Sequence, residues 1–295
     1  MRIAVTGSTG QVVTSLLERG PHAGHDVIAV GRPALDLADP VTILPALEAA
    51  RPDAIVSAAA WTAVDKAESE PDGAHAINAT GAGDVAEAAL SLGVPLVHLS
   101  TDYVFDGSSE RPWREDDPTG PTGVYGATKL AGEQAVLATH ADSAVLRTAW
   151  VYSPFGTNFV KTMLRLAESR EALGVVGDQW GNPTSALDIA DGVLAVCANL
   201  ATGNDPAQRG LFHMSAQGEA SWADFASAIF AVSARHGGPT AQVNAISTAD
   251  YPTPATRPAN SRLDCSRIAR VHGVTLPRWQ DALPQVVARL LADRP

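Results

Sequence analysis

Five short apolar runs, each followed by a stretch with helical periodicity, constrain the fold of this chain more than any other feature. These runs cover residues 2–6, 26–30, 53–58, 94–99 and 144–148. Parallel strands need long crossover connections, which are usually helices, so the alternation predicts a doubly wound parallel sheet of the α/β class. The carboxyl ends of such strands meet at one rim, where ligands bind. The residues at or just after the carboxyl ends of the five runs, which are expected at that rim, are Gly7, Gly31, Ala58, Thr101 and Trp150.

The first run ends in a glycine turn, Gly7-Ser8-Thr9-Gly10-Gln11, which leads into a helix from Gln11 to about Arg19. Glycines let the backbone come close to a pyrophosphate, and the N–H groups and dipole of a helix N-terminus favour its negative charge. The turn therefore predicts a dinucleotide site, with an ordinary strand–turn–helix connection as the alternative. A G-x-x-G-x-x-G pattern would place a third glycine at Val13, so we expect this helix to lie slightly further from the sheet.

The second run leads to Gly31 and Arg32, where a dinucleotide fold meets the adenosine ribose. An acidic residue there would select NAD, whereas an arginine pairs with the 2′-phosphate of NADP. The pattern favours NADPH and leaves NADH possible, and a solvated loop arginine is the alternative interpretation. Asp36 and Leu37 are expected beside the adenine. A segment that begins with small residues follows the third run and would let a cofactor lie across the strand end: Ala58, Ala59, Ala60, Trp61 and Thr62.

Tyr125 and Lys129 are four residues apart on a predicted helix that runs to about His140, so they share one face. Thr101, just past the fourth strand, can reach the same place. A lysine cation stabilises a phenolate and lowers the pKa of a tyrosine from its ordinary value of about 10. The three side chains suit carbonyl reduction, with hydride from a cofactor, the proton from Tyr125 and a hydrogen bond from Thr101. The alternative is a surface tyrosine beside a solvated lysine.

The formal net charge is −11, from 21 basic and 32 acidic residues. This balance argues against a general nucleic-acid or anionic-membrane surface, so an anionic small substrate would need a local basic pocket. The two cysteines, Cys197 and Cys265, exclude a disulfide framework and fit a reducing cytoplasm. The sequence shows no signal peptide, no membrane-spanning run and no metal-type histidine spacing, so we expect a cytoplasmic protein.

After Trp150 the alternation becomes less regular. The sequence predicts helices at 159–170, 183–200, 222–235 and 279–291, and short strands at 174–179, 211–214 and 243–246. The proline-rich connector 251–263 holds Arg257 and Arg262, which would either clamp a diphosphate or stay solvated. We therefore expect two parts: a nucleotide-binding domain of residues 1–153 with roughly 182–205, and a mainly substrate-binding region of residues 154–181 and 206–295.

Many of these motifs together resemble the extended short-chain dehydrogenase/reductase family, and within it the dTDP-4-dehydrorhamnose reductases. The similarity spans essentially the whole chain. It rests on residues 7–11, 51–53, 58–70, 100–107, 124–133, 147–152, 158–167, 177–179, 252–254, 257–258 and 260–263. The resemblance implies an NAD(P)-binding Rossmann fold with a smaller C-terminal substrate-binding domain. It also implies reduction of the C4 ketone of a nucleotide-sugar substrate, dTDP-4-dehydro-β-L-rhamnose, to dTDP-L-rhamnose.

The resemblance further implies roles for residues of this chain. Tyr125 would supply the proton, Lys129 would tune Tyr125 and hold the nicotinamide ribose, and Thr101 would contact the sugar. The other implied substrate contacts are Asp102, Trp150, Val64, Arg257 and Arg262. The implied cofactor contacts, besides Tyr125 and Lys129, are Gly7, Thr9, Gly10, Gln11, Val12, Gly31, Arg32, Asp36, Leu37, Ala58, Ala59, Ala60, Trp61 and Thr62.

The chain departs from the family pattern at Val13, discussed above, and at Ser15. Some members bind a metal through glutamates that join two subunits, and Ser15 occupies the place of one such glutamate. We therefore expect no metal, and a monomer or a weak homodimer.

Three alternative functions stay open. A nucleotide-sugar 4,6-dehydratase needs an acid/base pair after the fourth-strand threonine, but Asp102 is followed by Tyr103 instead of glutamate. An epimerase would use the same Tyr125 and Lys129 with tightly bound NAD, which Arg32 disfavours mildly. A non-catalytic NADP-binding subunit, such as the regulatory subunit of methionine adenosyltransferase, would have no need of the complete catalytic set.

Overall fold

The computed structural model describes residues 1–292, which are built around a parallel sheet flanked by helices. In this range the strands are β1 (Arg2–Thr6), β2 (Asp26–Val30), β3 (Ala54–Ser57), β4 (Leu96–Thr101), β5 (Ser143–Thr148), β6 (Val151–Tyr152), β7 (Ala172–Val176), β8 (Trp180–Gly181), β9 (Thr184–Ser185), β10 (Gly210–His213), β11 (Ala220–Ser221), β12 (Gln242–Ile246) and β13 (Asn260–Ser261). The α-helices are α1 (Gln11–His22), α2 (Ile43–Ala50), α3 (Val64–Ser69), α4 (Pro71–His75), α5 (Gly81–Leu92), α6 (Val124–Thr139), α7 (Phe159–Leu166), α8 (Ala186–Thr202), α9 (Trp222–Arg235), α10 (Ser266–His272) and α11 (Trp279–Ala292).

The large sheet has the order β10-β5-β4-β3-β1-β2, and every neighbouring pair is parallel. The strand order reverses at β1, since β2 lies on one side of it and β3 on the other. In open α/β sheets the crevice outside the strand ends at such a reversal binds ligands. Gly7 and Ala58 follow β1 and β3, so the glycine turn stands at this crevice. The doubly wound fold predicted from the sequence is confirmed.

Alternate residues of the strands enter two different cores, as expected for a sheet covered on both faces. Ile3 and Val5 lie in the core that α1 and α8 cover. Ala4 points into the core on the opposite face, with Leu47 of α2 and Val136 of α6. Because both faces are buried, the strands read as nearly continuous apolar runs in the sequence.

The C-terminal half has a core of its own, formed by α7, α9 and α11 around a two-stranded sheet of β7 and β12. Tyr152, Phe225 and Trp279 are among its buried side chains. A short three-stranded sheet, β11-β8-β13, and the pair β6-β9 connect this half to the rim of the large sheet.

Several predicted boundaries in the C-terminal half differ from the structure. Residues 184–185 form strand β9 against β6, and Ser185 then caps α8, so that helix begins later than predicted. The strand predicted at 174–179 lies at Ala172–Val176, and α10 was missed. Gly210–His213, assigned above to the substrate-binding part, pairs with β5 and extends the nucleotide-binding sheet. The rest of the proposed division stays a prediction, and its residues 293–295 lie outside the described residues.

None of the helices within residues 1–292 combines the length and the apolar character that crossing a membrane requires.

Candidate active site

A cleft of about 790 Å³ opens along the carboxyl ends of the parallel strands, a size usual for small-molecule sites of ~300–1,000 Å³. Most residues predicted for the site line it: Gly7, Thr9, Gly10, Gln11, Val12, Gly31, Arg32, Asp36, Leu37, Ala58, Ala59, Ala60, Thr62, Val64, Thr101, Asp102, Tyr125, Lys129 and Trp150. The predicted residues outside this lining are Trp61, Arg257 and Arg262.

The glycine turn at one end of the cleft depends on two glycines. Gly7 has φ +100°, a left-handed conformation that side chains rarely adopt. A Cβ on Gly31 would lie 2.9 Å from the carbonyl carbon of Gly7, so only glycine lets the two loops meet. Val13, at the place of the third glycine, is buried in the core beside Gly7. The turn thus leaves the backbone at the N-terminus of α1 open to an anion.

Gln11 lines the cleft, but its side chain also connects the glycine turn to the C-terminal half. Its Oε1 accepts hydrogen bonds from Ser153 Oγ at 2.7 Å and Asn158 Nδ2 at 2.9 Å. Asn158 in turn caps α7 by accepting from Lys161 N at 3.2 Å. One glutamine therefore couples the cofactor end of the cleft to the segment that forms its far wall.

Asn78, for which the sequence predicts no role in the site, fixes the loop after β3. It lies in a π-helical turn, Ala76–Thr80, and π-helical turns often occur at functional sites. Its Oδ1 accepts from Trp61 N at 2.8 Å, while Nδ2 donates to Trp61 O and to Thr128 Oγ1, both at 3.1 Å. The side chain of Trp61 points elsewhere, with Nε1 donating to Ala63 O at 3.1 Å. The backbone of Trp61 is thereby tied to α6.

Thr101, Asp102 and Tyr125 meet at the middle of the cleft. Thr101 Oγ1 donates to Asp102 Oδ1 at 3.0 Å and accepts from Tyr103 N at 3.2 Å. Burial raises the pKa of Tyr125 to about 12, and a hydrogen bond with the Thr101 side chain opposes that rise. Burial also raises the pKa of Asp102 to about 6, against the opposing hydrogen bonds of Ser261 and Thr101. Asp102 Oδ2 has no hydrogen-bond partner within residues 1–292. The three groups can therefore donate and accept protons toward a bound ketone.

Gly126 lets the Tyr125 helix come close to Thr101. A Cβ on Gly126 would stand 2.1 Å from the carbonyl oxygen of Tyr103, in the turn that follows Thr101. Any larger residue would push α6 away from the end of β4. The glycine after Tyr125 thus lets the N-terminus of α6 lie close to the turn that follows Thr101.

Lys129 lies one turn after Tyr125, as predicted, but its ammonium faces β4. Nζ donates to Leu99 O at 2.7 Å and lies 3.4 Å from His98 Nε2. Burial lowers the pKa of Lys129 to about 8, while Glu133 opposes the shift. The prediction that Lys129 lowers the pKa of Tyr125 is wrong. Burial is the largest influence on the pKa of Tyr125 and raises it, and the Lys129 ammonium is directed to β4.

An aromatic wall closes the far end of the cleft. Trp150 has φ +48° and stacks on Trp222, with ring centroids 3.5 Å apart and an interplanar angle of 7°. Phe159 packs against the same Trp222, with centroids 4.6 Å apart. A Cβ on Gly181 would lie 2.4 Å from the Trp150 ring, so the glycine makes room for it. Trp222 and Phe159 line the cleft and were missed, because nothing near them in the sequence marks a site.

The two connector arginines differ from each other. Arg257 Nη2 pairs with Asp65 Oδ2 at 2.7 Å, and its Nη1 has no hydrogen-bond partner within residues 1–292. The guanidinium of Arg262 is held by Asn260 Oδ1 at 2.8 Å, Glu219 Oε2 at 2.9 Å and Glu110 O at 2.8 Å. Arg262 thus joins three surface segments, whereas Arg257 has one guanidinium nitrogen without a hydrogen bond within residues 1–292.

The part of the chain from residue 1 to 292 contains no group of three or more His, Cys, Asp and Glu side chains arranged to hold a metal ion. Ser15, which stands where some members of the resembled family have a metal-binding glutamate, is buried and donates to Gln11 O at 2.8 Å.

Comparison with known proteins matches the chain over nearly its whole length. The family described as the RmlD substrate binding domain matches residues 1–292. The dTDP-4-dehydrorhamnose reductase of Sinorhizobium fredii is 48% identical over 293 residues, which cover 99% of both chains. The chain belongs to the dTDP-4-dehydrorhamnose reductase family. The family member of Escherichia coli K12 is 43% identical over 296 residues, covering 98% of each chain.

Solved structures of the dTDP-4-dehydrorhamnose reductase family have the same architecture. The Clostridium acetobutylicum reductase superposes with a TM-score of 0.90 at 35% identity, covering 99% of this chain and 100% of the other. The Bacillus anthracis reductase, solved in complex with NADP, gives 0.88 at 34% identity and covers 97% and 98% of the two chains. The resemblance predicted from the motifs is confirmed, and the chain is an oxidoreductase of this family.

Proposed function

We propose that this enzyme reduces the C4 ketone of dTDP-4-dehydro-β-L-rhamnose to dTDP-L-rhamnose, with NADPH as the preferred cofactor. The observation that carries the proposal is the meeting of Tyr125, Thr101 and Asp102 at the centre of a cleft whose one end is the glycine turn. The naming of full-length relatives as dTDP-4-dehydrorhamnose reductases supports the substrate.

The residues at the glycine end fit a dinucleotide. The contact of Gly31 with Gly7 leaves no space for a side chain, and the open N-terminus of α1 suits a pyrophosphate. The exposed Arg32 side chain lines the same end, where it would pair with the 2′-phosphate. The NADP complex of the Bacillus anthracis relative supports this choice. When bound, the cofactor supplies the hydride.

The protein's own part of the reduction is to place and protonate the ketone. Tyr125 gives its hydroxyl proton to the C4 oxygen, and Thr101 holds that oxygen by a hydrogen bond while negative charge develops on it. Lys129, which lines the cleft, would hold the nicotinamide ribose and supply a positive charge there. The unpartnered Oδ2 of Asp102 accepts a hydrogen bond from the sugar, and Trp150 and Val64 contact its apolar side.

Arg257 is the proposed contact for the diphosphate. Asp65 holds one of its nitrogens, so the guanidinium is already oriented before a ligand binds. Arg262 is left out of this proposal because Asn260, Glu219 and Glu110 occupy its donors.

The function is tested by following NADPH absorbance with substrate made in situ from the keto-glucose precursor and its 3,5-epimerase. We expect rapid loss of NADPH, and the same rate with and without EDTA, because Ser15 replaces the metal-binding glutamate of some members. Binding of NADPH without its oxidation would contradict the proposed reaction and favour a regulatory NADP-binding role. Collapse of the rate in EDTA would contradict metal independence alone.

We expect Arg32→Ala to weaken NADPH binding by about 10- to 100-fold, the effect of losing a charge-assisted hydrogen bond worth ~1.5–3 kcal/mol. NADH has no 2′-phosphate, so its affinity should change little. Fluorescence titration with both cofactors measures the effect. Arg170→Ala, at another exposed arginine outside the cleft, is the control and should change neither affinity. Equal weakening of both cofactors by Arg32→Ala would mean that Arg32 does not select NADPH.

A further inference from the structure

A buried polar chain lies behind Lys129, on the side away from the cleft opening. His98 of β4 and Ser57 of β3 are direct neighbours in the sheet register, and each is 1% exposed. His98 Nδ1 lies 3.0 Å from Ser57 Oγ, and His98 Nε2 lies 3.4 Å from Lys129 Nζ. Burying polar groups on central strands costs free energy unless they are hydrogen-bonded. The stability of these three side chains in the core therefore depends on the contacts between them.

Donor and acceptor chemistry fixes the direction of the chain. A lysine ammonium only donates, so His98 Nε2 is the acceptor in this contact. The ring proton of a neutral imidazole then sits on Nδ1 and is donated to Ser57 Oγ. Burial, and secondly the charge of Lys129, lower the pKa of His98 well below its ordinary value. His98 therefore stays neutral and keeps its acceptor toward the ammonium.

The other groups around Lys129 complete its surroundings. Leu99 O of β4 accepts the shortest hydrogen bond from Nζ, at 2.7 Å. On α6, Tyr125 lies one turn before Lys129 and Glu133 one turn after it, and Glu133 opposes the lowering of the Lys129 pKa. Both carboxylate oxygens of Glu133 bind Arg147 of β5, so its charge is largely compensated. His98 and the Leu99 carbonyl are thus the two acceptors that hold the ammonium directly.

We propose that His98, oriented by Ser57, is a positioning residue that holds the Lys129 ammonium charged and fixed against β4 in the wall of the cleft. Two of the three Nζ protons point at His98 and Leu99 O, which leaves the third for a ligand in the cleft that Lys129 lines. The effect on reduction rests on the proposed function, whereas the effect on Lys129 itself does not.

Loss of the His98 acceptor should change the pKa of Lys129 in one direction. An acceptor for Nζ stabilises the ammonium, so its removal lowers the pKa of Lys129 further below about 8. The positive charge is then lost at a lower pH. A variant without the acceptor should therefore lose activity mainly on the alkaline side.

Lysine NMR tests this without any substrate. The chain has three lysines, Lys66, Lys129 and Lys161, so protein labelled with ¹³C at lysine Cε gives three resonances, and Lys129→Met identifies one. In His98→Leu we expect the Lys129 titration midpoint to fall by about one pH unit, a shift of the size that one strong neighbour produces. His98→Gln keeps an acceptor and should restore most of the midpoint. Ser57→Ala should shift it partway, and the signals of Lys66 and Lys161 serve as internal controls.

An unchanged Lys129 midpoint in His98→Leu, or an equal fall in His98→Gln, would overturn the proposal. If His98→Leu does not fold, Ser57→Ala carries the test, and a wild-type Lys129 midpoint in that variant would overturn the proposal. In the assay, the pH above which kcat falls should shift together with the NMR midpoint. The affinity for NADPH at pH 6.5 should stay within about twofold of the wild-type value. An inactive wild-type enzyme would refute the proposed function but leave the NMR result intact.

Discussion

Tyr125→Phe is expected to lower kcat for the ketone by roughly 10²- to 10⁴-fold, the usual contribution of a positioned proton donor. The ring remains, so the packing of the N-terminus of α6 is kept, and only the hydroxyl that bonds to Thr101 is lost. NADPH affinity should stay nearly unchanged because the substitution removes only the proton-donating hydroxyl and leaves the glycine turn intact. Steady-state assays and a fluorescence titration of NADPH measure the two quantities separately.

Tyr103→Phe is the matched control for this result. The Tyr103 ring makes an edge-to-face contact with Tyr125, with centroids 5.5 Å apart, and it lines the same cleft. A general effect of removing a phenol from the cleft would appear in both variants, whereas loss of the proton donor would appear only at position 125. Similar rates for Tyr125→Phe and the wild type would show that water or another group is the acid, and Asp102, whose pKa burial raises to about 6, is one candidate.

The sequence predicted the parts of the site that depend on local pattern. Gly7 and Gly10 stand in a strand–turn–helix sequence, and the four-residue spacing of Tyr125 and Lys129 puts both on one side of α6. The alternation of strands and helices placed the strand ends at one rim, which brings Thr101 to Tyr125. Each of these inferences needs only the chain near the residue and the rule that parallel strands share a rim.

The parts that were missed depend on contacts between distant segments. Asn78 reaches Trp61 and Thr128 across 17 and 50 residues, and Trp222 stacks on Trp150 from the other half of the chain. The direction of Lys129 is similar: spacing gives its helix face, but the acceptors His98 and Leu99 O belong to β4. No local signal in the sequence distinguishes these residues from ordinary core or surface positions.

Glu133→Leu is expected to destabilise the fold by about 3–5 kcal/mol, the cost of leaving one charge of a buried pair without its partner. Arg147 Nε and Nη2 donate to the two Glu133 oxygens at 2.8 and 2.7 Å, and both side chains are 3% exposed. The Arg147 guanidinium, which also lies 4.9 Å from the Phe105 ring, would then be buried without a counter-charge. The free energy of unfolding in urea measures the loss. Glu70→Gln, in the exposed Lys66–Glu70 pair, is the control and should cost less than about 1 kcal/mol.

The double variant Glu133→Leu with Arg147→Met shows whether the ion pair stabilises the fold or only prevents the cost of a single unpaired buried charge. The attraction within a buried ion pair offsets little more than the free-energy cost of desolvating its two charges. Replacing both residues by apolar ones is therefore often neutral or stabilising. We therefore expect each single variant to be far less stable than the double variant, which should unfold close to the wild type. Additive losses in the double variant would contradict this account, because additivity means that the two side chains have no interaction energy. If the double variant is stable but its Lys129 pKa is lower than in the wild type, the role of Glu133 is to help keep Lys129 charged, because Glu133 opposes the lowering of that pKa.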